Sequence, residues 1–243
     1  MIAHSLSPEP PPPPMKHPTP LLAVPLLALT LACCATGPNN CGDDCEAACC
    51  AAEAVSEPAA DAEDWTSLWD GASDPLEAGW RMAGPGGFRV EDGALVAHGG
   101  MGLLWYAEEA YEDFVLSFEW SVSEPSDNSG VFVRFPDPGD DPWVAVHQGY
   151  EFQVCDTADP GQDTGSAFSF QAATHVPTKP AGEWNHYLVT AVGQRYLVHV
   201  NGELVNDFTG ERGLVGHVGL QNHDDGSPVR YRDLRVRRLG SGE

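Results

Sequence analysis

Phe114-Val115-Leu116-Ser117-Phe118-Glu119-Trp120 reads as a strand with one apolar face. Phe114, Leu116, Phe118 and Trp120 occupy alternate positions, which an extended chain points to one side, leaving Ser117 and Glu119 on the other. The same two-residue period recurs downstream. Val131 and Val133 alternate with Phe132 and Arg134. In Tyr150-Glu151-Phe152-Gln153-Val154 the apolar set faces one way, and Glu151 and Gln153 face the other. Val218 and Leu220 oppose Gly219, Gln221 and, if the strand continues, His223. Working outward, further strands are expected at 88–90, 94–98, 103–106, 184–192, 196–200 and 229–237, with the quoted segments filling 114–122, 130–135, 150–155 and 216–222. Glu91-Asp92-Gly93, Val192-Gly193-Gln194 and Asn201-Gly202 are hairpin signals, because Gly and Asn tolerate positive φ. About ten short strands without long helical periodicity predict an all-β sandwich or jelly roll.

Composition narrows the partners. The 243 residues carry 36 acidic against 12 basic side chains, a formal charge of −24, so no nucleic-acid partner and no electrostatic grip on anionic lipid is expected. A hydrophobic fraction of 42% supports a real core, in one large domain rather than two. Collagen, coiled-coil and multi-span membrane architectures are excluded.

The N-terminal part reads as an address. Met15 is a candidate start, Met15-Lys16-His17 a short basic region, and 21–32 an apolar stretch too short to span a bilayer but suited to a secretory signal. It closes on Leu29-Thr30-Leu31-Ala32-Cys33, which resembles a bacterial lipobox with Thr30 where Leu is usual. Acylation of Cys33 is expected, a cleaved secreted chain being the second outcome and an uncleaved anchor the third. The two leading outcomes place the mature protein outside the cytoplasm, touching membrane only through a lipid anchor. Three segments follow: signal and lipobox at 1–33, a flexible acidic tether at 34–64, and a folded domain at 65–243. Within the tether, Cys41, Cys45, Cys49 and Cys50 are read as disulfide partners rather than a metal site, since neither His nor a paired C-x-x-C accompanies them.

If the patterned strands are neighbours in one curved sheet, Glu119, Arg134, Glu151, Gln153, Gln221 and His223 line a polar groove. Two Gln, a lone Arg, two Glu and a His, with almost no Lys, suit the hydrogen bonding of sugar hydroxyls.

At these residues the chain resembles the 3-keto-disaccharide hydrolase domain family, also described as 3-keto-glucoside 1,2-lyase/3-keto-2-hydroxy-glucal hydratase. The resemblance runs over 65–239. It is carried by Trp65-Thr66-Ser67-Leu68-Trp69-Asp70-Gly71, the Phe114 strand, Asn128-Ser129-Gly130-Val131-Phe132-Val133-Arg134 and Gly149-Tyr150-Glu151-Phe152-Gln153-Val154-Cys155-Asp156. Thr164-Gly165-Ser166, Lys179-Pro180-Ala181-Gly182-Glu183-Trp184-Asn185 and Gly216-His217-Val218-Gly219-Leu220-Gln221-Asn222-His223 complete it. It implies a concanavalin-like jelly roll, a carbohydrate substrate, and a sugar 3-dehydrogenase as the partner that supplies the ketone. One departure is the run Ala167-Phe168-Ser169-Phe170, where family members commonly carry Tyr.

That chemistry needs a base for the proton on carbon 2, an acid for the leaving oxygen, and donors for the enolate oxygen. Face geometry and chemical type make Glu151 the first candidate base, Asp156 or Glu119 the acid, and Arg134 and His223 the enolate stabilisers. Gln153 and Gln221 would hold hydroxyls, with Asn128, Lys179 and His175 as further substrate contacts. No cofactor is expected, and the histidines show no metal-ligand spacing.

Two other readings compete. Glu151-Phe152-Gln153-Val154-Cys155-Asp156 is similar to the Glu-x-Asp-x-x-Glu strand of jelly-roll β-glucanases, but its middle acid is Gln and its last is shortened, which argues against direct glucanase chemistry. A bulge placing Asp156 on the Glu151 face would keep a carboxylate pair. Alternatively the domain is a tethered, non-catalytic glycan binder using Trp105, Tyr106 or Trp143. No G-x-S-x-G elbow is present, and Cys155 reads as a buried thiol.

Overall fold

The computed structural model describes residues 64–240. The expected lipobox with Cys33, the tether cysteines and the last three residues lie outside the described residues. Thirteen strands form: β1 (Thr66–Ser67), β2 (Trp80–Ala83), β3 (Gly87–Glu91), β4 (Ala94–His98), β5 (Gly102–Tyr106), β6 (Phe114–Ser121), β7 (Ser129–Phe135), β8 (Tyr150–Val154), β9 (Asn185–Val192), β10 (Arg195–Val200), β11 (Glu203–Thr209), β12 (His217–Asn222) and β13 (Arg230–Arg238). A short helix, α1 (Trp143–Gln148), precedes β8. The strands make two antiparallel sheets. One runs β11-β10-β9-β6-β13-β4-β3 with β1 beside β13, and the other runs β2-β5-β12-β7-β8. The all-β jelly-roll sandwich expected from the alternation is the observed fold.

Every expected strand forms within a few residues of its reading. The turns work as their residues dictate: Asp92 and Gly93 (φ 48° and 73°) join β3 to β4, and Asn201 and Gly202 (φ 53° and 84°) join β10 to β11. β11 itself was not anticipated, because Asn206 and Asp207 are poor strand formers; pairing with β10 overrides that preference. β2 is likewise unforeseen, since Trp80-Arg81-Met82-Ala83 is too short to show a period.

The core lies between the sheets. Phe114, Leu116, Phe118 and Trp120 of β6 point into it with Tyr187, Val189 and Ala191 of β9, against Val131, Val133, Phe152, Val154, Val218 and Leu220 of the smaller sheet. Phe118 stacks on Tyr187 with ring centroids 5.1 Å apart. A second, smaller apolar cluster of Ala83, Leu103, Trp105, Phe132, Phe135 and Ala145 sits on the outer side of the five-stranded sheet, where α1 covers it.

Arg134 corrects one expectation. Alternation places it with Phe132 on the outer face, but its φ of 55° breaks the pleat at the end of β7, beside a register shift between His217 and Val218. Gly216 permits this close passage, since a Cβ there would lie 2.4 Å from the Arg134 carbonyl carbon. The side chain turns inward and is buried. Nη1 donates to the Gly193 carbonyl and Nη2 to the Glu112 carbonyl and to Asp113 Oδ1 (3.1 Å). The guanidinium lies over the Phe114 and Tyr196 rings, 5.9 and 5.4 Å from their centroids. Arg134 is thus a staple between β7 and the β9–β10 turn. Replacing it by Met strands two carbonyls and the Asp113 charge, and should lower stability by about 3–5 kcal/mol. Urea unfolding checks this as a lower midpoint at unchanged slope.

Candidate functional site

Cross-strand register lines up the outer face of the five-stranded sheet row by row. One row runs Arg81, Trp105, Gly219, Phe132, Glu151, and the next begins Ala83, Leu103, Gln221. Gly130 pairs with Gln153. Because Leu220 pairs with Val131, the following step sets Gln221 beside Gly130. Continuing the register once more brings His223 and Asn128 to the rim of the same face. The structure therefore brings Glu151, Gln153, Gln221, Asn128 and His223 to one region.

Gly130 explains how. A Cβ there would stand 2.5 Å from Glu151 Oε1, so the carboxyl lies in the space that a side chain on β7 would fill. On the other side of β7 the register sets Gln221 of β12 beside this cradle. A glycine in the middle of a strand signals such a close approach, and this was the available clue to a residue that the reading of the sequence missed. The segment 165–168 runs along β8 and shields the site from the edge, the Ser166 carbonyl accepting from Gln153 N (3.1 Å) and Phe168 N donating to the Glu151 carbonyl (2.9 Å).

The chemistry of this region is unbalanced. Glu151 is 5% exposed, and its Oε1 has no hydrogen-bond partner. The side-chain oxygens of Gln153, Gln221 and Asn128 are also buried without a donor. Water removed from an ionised carboxyl without replacement disfavours the charge, and burial pushes Glu151 up to about 8. Grouped acceptors lacking donors suit a ligand rich in hydroxyl groups.

At the rim, His223 is exposed, and its Nδ1 meets Asp224 Oδ2 at 2.7 Å. Partial burial acts to raise Asp224, but the His223 ring, the Gly226 N–H and the Ser227 hydroxyl outweigh it and hold the carboxyl below its ordinary range. Ser227 Oγ in turn accepts from Asn128 N (2.9 Å), fixing this loop against the start of β7. Asp224 and Ser227 were not singled out in the sequence, since acidic loop residues are common in this chain. Asp156 follows β8 and accepts from Thr164 Oγ1 at 2.6 Å. Burial raises its carboxyl despite the hydroxyls of Thr164 and Thr178.

Other candidates are not part of this region. Glu119 belongs to the eight-stranded sheet and faces outward there, paired with Arg232 at 2.6 Å. The expectation of one shared groove failed for it because β6 and β8 are in different sheets, which alternation alone does not reveal. Arg134 is in its inward staple. His175 bonds Glu203 Oε2 at 3.0 Å, and Lys179 Nζ donates to the Trp184 carbonyl at 2.8 Å, both at the margin of the eight-stranded sheet. Trp105 is buried, edge-on to His217 at 4.8 Å, and offers no open platform. Trp143 on α1 is 52% exposed. Phe170, in the run where family members carry Tyr, packs on Tyr150 and Phe208. Hollows of about 240 and 310 Å³ lie elsewhere, at Tyr111–Arg238 and beside Phe170. Among the described residues no three His, Cys, Asp or Glu side chains gather as a metal set.

The buried acid has a stability consequence. The unfolded chain releases the Glu151 proton near 4.5, the folded chain near 8. Between those values the unfolded state binds fewer protons, so stability falls as pH rises, by about 5 kcal/mol at most, and levels off above 8. Glu151→Gln removes that loss. Its melting temperature should match wild type near pH 4.5 and exceed it by several degrees at pH 8, as measured by calorimetry across that range.

Comparison with known proteins fits this geometry. The model of the 3-keto-alpha-glucoside-1,2-lyase-like domain matches residues 64–237. Two structures of proteins from Parabacteroides distasonis, assigned by name to the glycosyl hydrolases, are similar. One has a TM-score of 0.60 at 22% identity, covering 73% of this chain and 95% of that one. The other has 0.60 at 23%, covering 72% and 99%. A carbohydrate-binding module from Bacillus subtilis has 0.53 at 16%, covering 65% and 95%. At these identities the likeness concerns the sandwich itself. No curated protein matches the chain in sequence.

Proposed function

We propose, from the premise that this chain belongs to the 3-keto-alpha-glucoside-1,2-lyase-like domain family, that it cleaves 3-keto-glucosides or 3-keto-disaccharides with Glu151 as base. Membership makes this a carbohydrate-acting domain. The observation that supports the finer reading is the Glu151 carboxyl, buried over Gly130 without a donor, on the sheet face it shares with Gln153 and Gln221.

A ketone at carbon 3 acidifies the hydrogen on carbon 2. Ionised Glu151 takes that proton, and the C–H electrons pass into an enolate on the carbon-3 oxygen. The enolate then collapses, the bond from carbon 1 to the glycosidic oxygen breaks, and that oxygen leaves with a proton. Water adds across the unsaturated sugar, giving net hydrolysis. A base with a value near the working pH combines adequate ionisation with proton affinity. His223, oriented by Asp224 through Nδ1, donates from Nε2 to the enolate oxygen as an imidazolium, the form in which both ring nitrogens carry protons. Asp156, whose carboxyl burial raises above its ordinary range, is the acid for the leaving oxygen. Gln153, Gln221 and Asn128 hold hydroxyls. An oxidoreductase acting on carbon 3 supplies the substrate.

Incubation with 3-keto-trehalose should release glucose. Glu151→Gln should lower kcat by at least a thousandfold while the circular dichroism spectrum stays unchanged. Because the base must be ionised, the rising limb of kcat/KM against pH should have its inflection near 8. Wild-type turnover in Glu151→Gln removes Glu151 from the mechanism. Binding of the keto-sugar without glucose release would favour a non-catalytic glycan-binding module, for which exposed Trp143 near the open face is the supporting feature.

Export and lipid anchoring form part of the same proposal, resting on Leu29-Thr30-Leu31-Ala32-Cys33. In a bacterial host the chain should incorporate labelled fatty acid and fractionate with membranes. Cys33→Ala should abolish the label; a label retained in that variant would overturn the assignment.

A further inference from the structure

The basic side chains are few, yet five of the chain's 12 stand on the nine residues of β13: Arg230, Arg232, Arg235, Arg237 and Arg238. Tyr231, Leu234 and Val236 of this strand enter the core. The residues alternating with them turn outward on the eight-stranded sheet, and a kink at Asp233 (φ 51°) keeps Arg235 and Arg237 in line with Arg230 and Arg232. Four guanidinium groups therefore form a ridge about 23 Å long, at roughly 3.3 Å per residue.

Two half-buried indoles organise the ridge. Arg232 lies 3.9 Å and Arg230 5.7 Å from the Trp184 ring centroid, and Arg235 and Arg237 lie 5.2 and 5.3 Å from that of Trp65. A guanidinium held flat on an aromatic ring keeps its in-plane N–H groups for a carboxylate or sulfate, and loses little further freedom on binding one. Glu119 pairs with Arg232, and Asp233 with Arg235. Among the described residues Arg237 forms no ion pair, Arg230 donates to the Glu91 carbonyl (3.4 Å) and lies in the field of the Glu91 carboxylate, and the Nε atoms of Arg230, Arg235 and Arg237 are buried without an acceptor. In a chain of charge −24 this concentration of cations on one strand runs against the overall balance.

We infer that the β13 arginine ridge is a second binding surface, separate from the Glu151 region, for a glycan bearing repeated carboxylate or sulfate groups. Its length fits a polymer better than a single anion. The choice of an anionic glycan over an acidic peptide rests on the carbohydrate-acting family of the domain, not on the keto-sugar chemistry. The two surfaces belong to opposite sheets, so a chain held at the ridge leaves the Glu151 face free.

Titration calorimetry of the full chain with polygalacturonate tests this, with neutral dextran, poly-glutamate and duplex DNA as comparators. Expected is micromolar binding of polygalacturonate at low salt, weakening as salt rises, and no binding of dextran. Arg230→Gln combined with Arg237→Gln breaks no ion pair and should weaken binding at least tenfold with an unchanged urea midpoint. If the double variant does not fold, Arg237→Gln alone should give a severalfold loss. Glu151→Gln should bind as wild type, whether or not keto-sugar turnover is found, so the two proposals fail independently. Absence of polygalacturonate binding, unaltered binding in the arginine variants, or equal affinity for poly-glutamate or DNA would overturn the inference.

Discussion

Two sheets can enclose one apolar layer only if each strand turns alternate residues toward it, and this pleat constraint governs the molecule. Phe118, Tyr187 and Trp120 meet on the inner face of the eight-stranded sheet, so the outward partners of every such residue are fixed in sign before any function is considered. Glu151 and Gln153 are outward because Tyr150, Phe152 and Val154 are inward. Likewise the arginines of β13 are outward because Tyr231, Leu234 and Val236 are not. A one-residue slip of either strand would exchange the two sets. A break in the pattern, at Arg134, occurs where left-handed backbone and Gly216 allow the strand to turn.

On the outer side of the smaller sheet the same constraint has a different effect. Part of that face is closed by α1 over Phe132, Trp105 and Leu103. What stays available is bounded by β8, the 165–168 segment and the His223 loop. A carboxyl held there loses water against the vacant side of Gly130, and its proton is retained toward pH 8 as a result. Such an acid is unfavourable for folding and useful for abstracting a weakly acidic proton, a conflict that a large hydrophobic core tolerates.

How much of this was legible can be judged residue by residue. Phe114-Leu116-Phe118-Trp120 and the Gly-bearing turns disclosed the sandwich, because period and positive-φ preference are local properties. Glu151, Gln153 and Gln221 were legible as a set because their strands share a sheet. Glu119 carries an equally good local signal and sits on the other sheet, and nothing within Phe114-Val115-Leu116-Ser117-Phe118-Glu119-Trp120 distinguishes the two cases. Arg134 was misjudged for another reason: strict alternation assumes an unbroken pleat. The hydrogen bond from Ser227 to Asp224 and the position of Asn128 beside them depend on loops whose mutual approach has no period at all.

The amino-acid sequence alone determined that this chain forms short alternating strands, which side of each strand is apolar, and that few cations face many carboxylates. Those follow from dihedral preferences and from the hydrophobic effect acting on neighbours along the chain. Only the tertiary structure decided which polar faces share a sheet, which arginine turns inward, and that Glu151 lies over Gly130 without a donor. Strand order and burial arise from contacts between residues distant in sequence, and a carboxyl's affinity for its proton depends on what surrounds it in space.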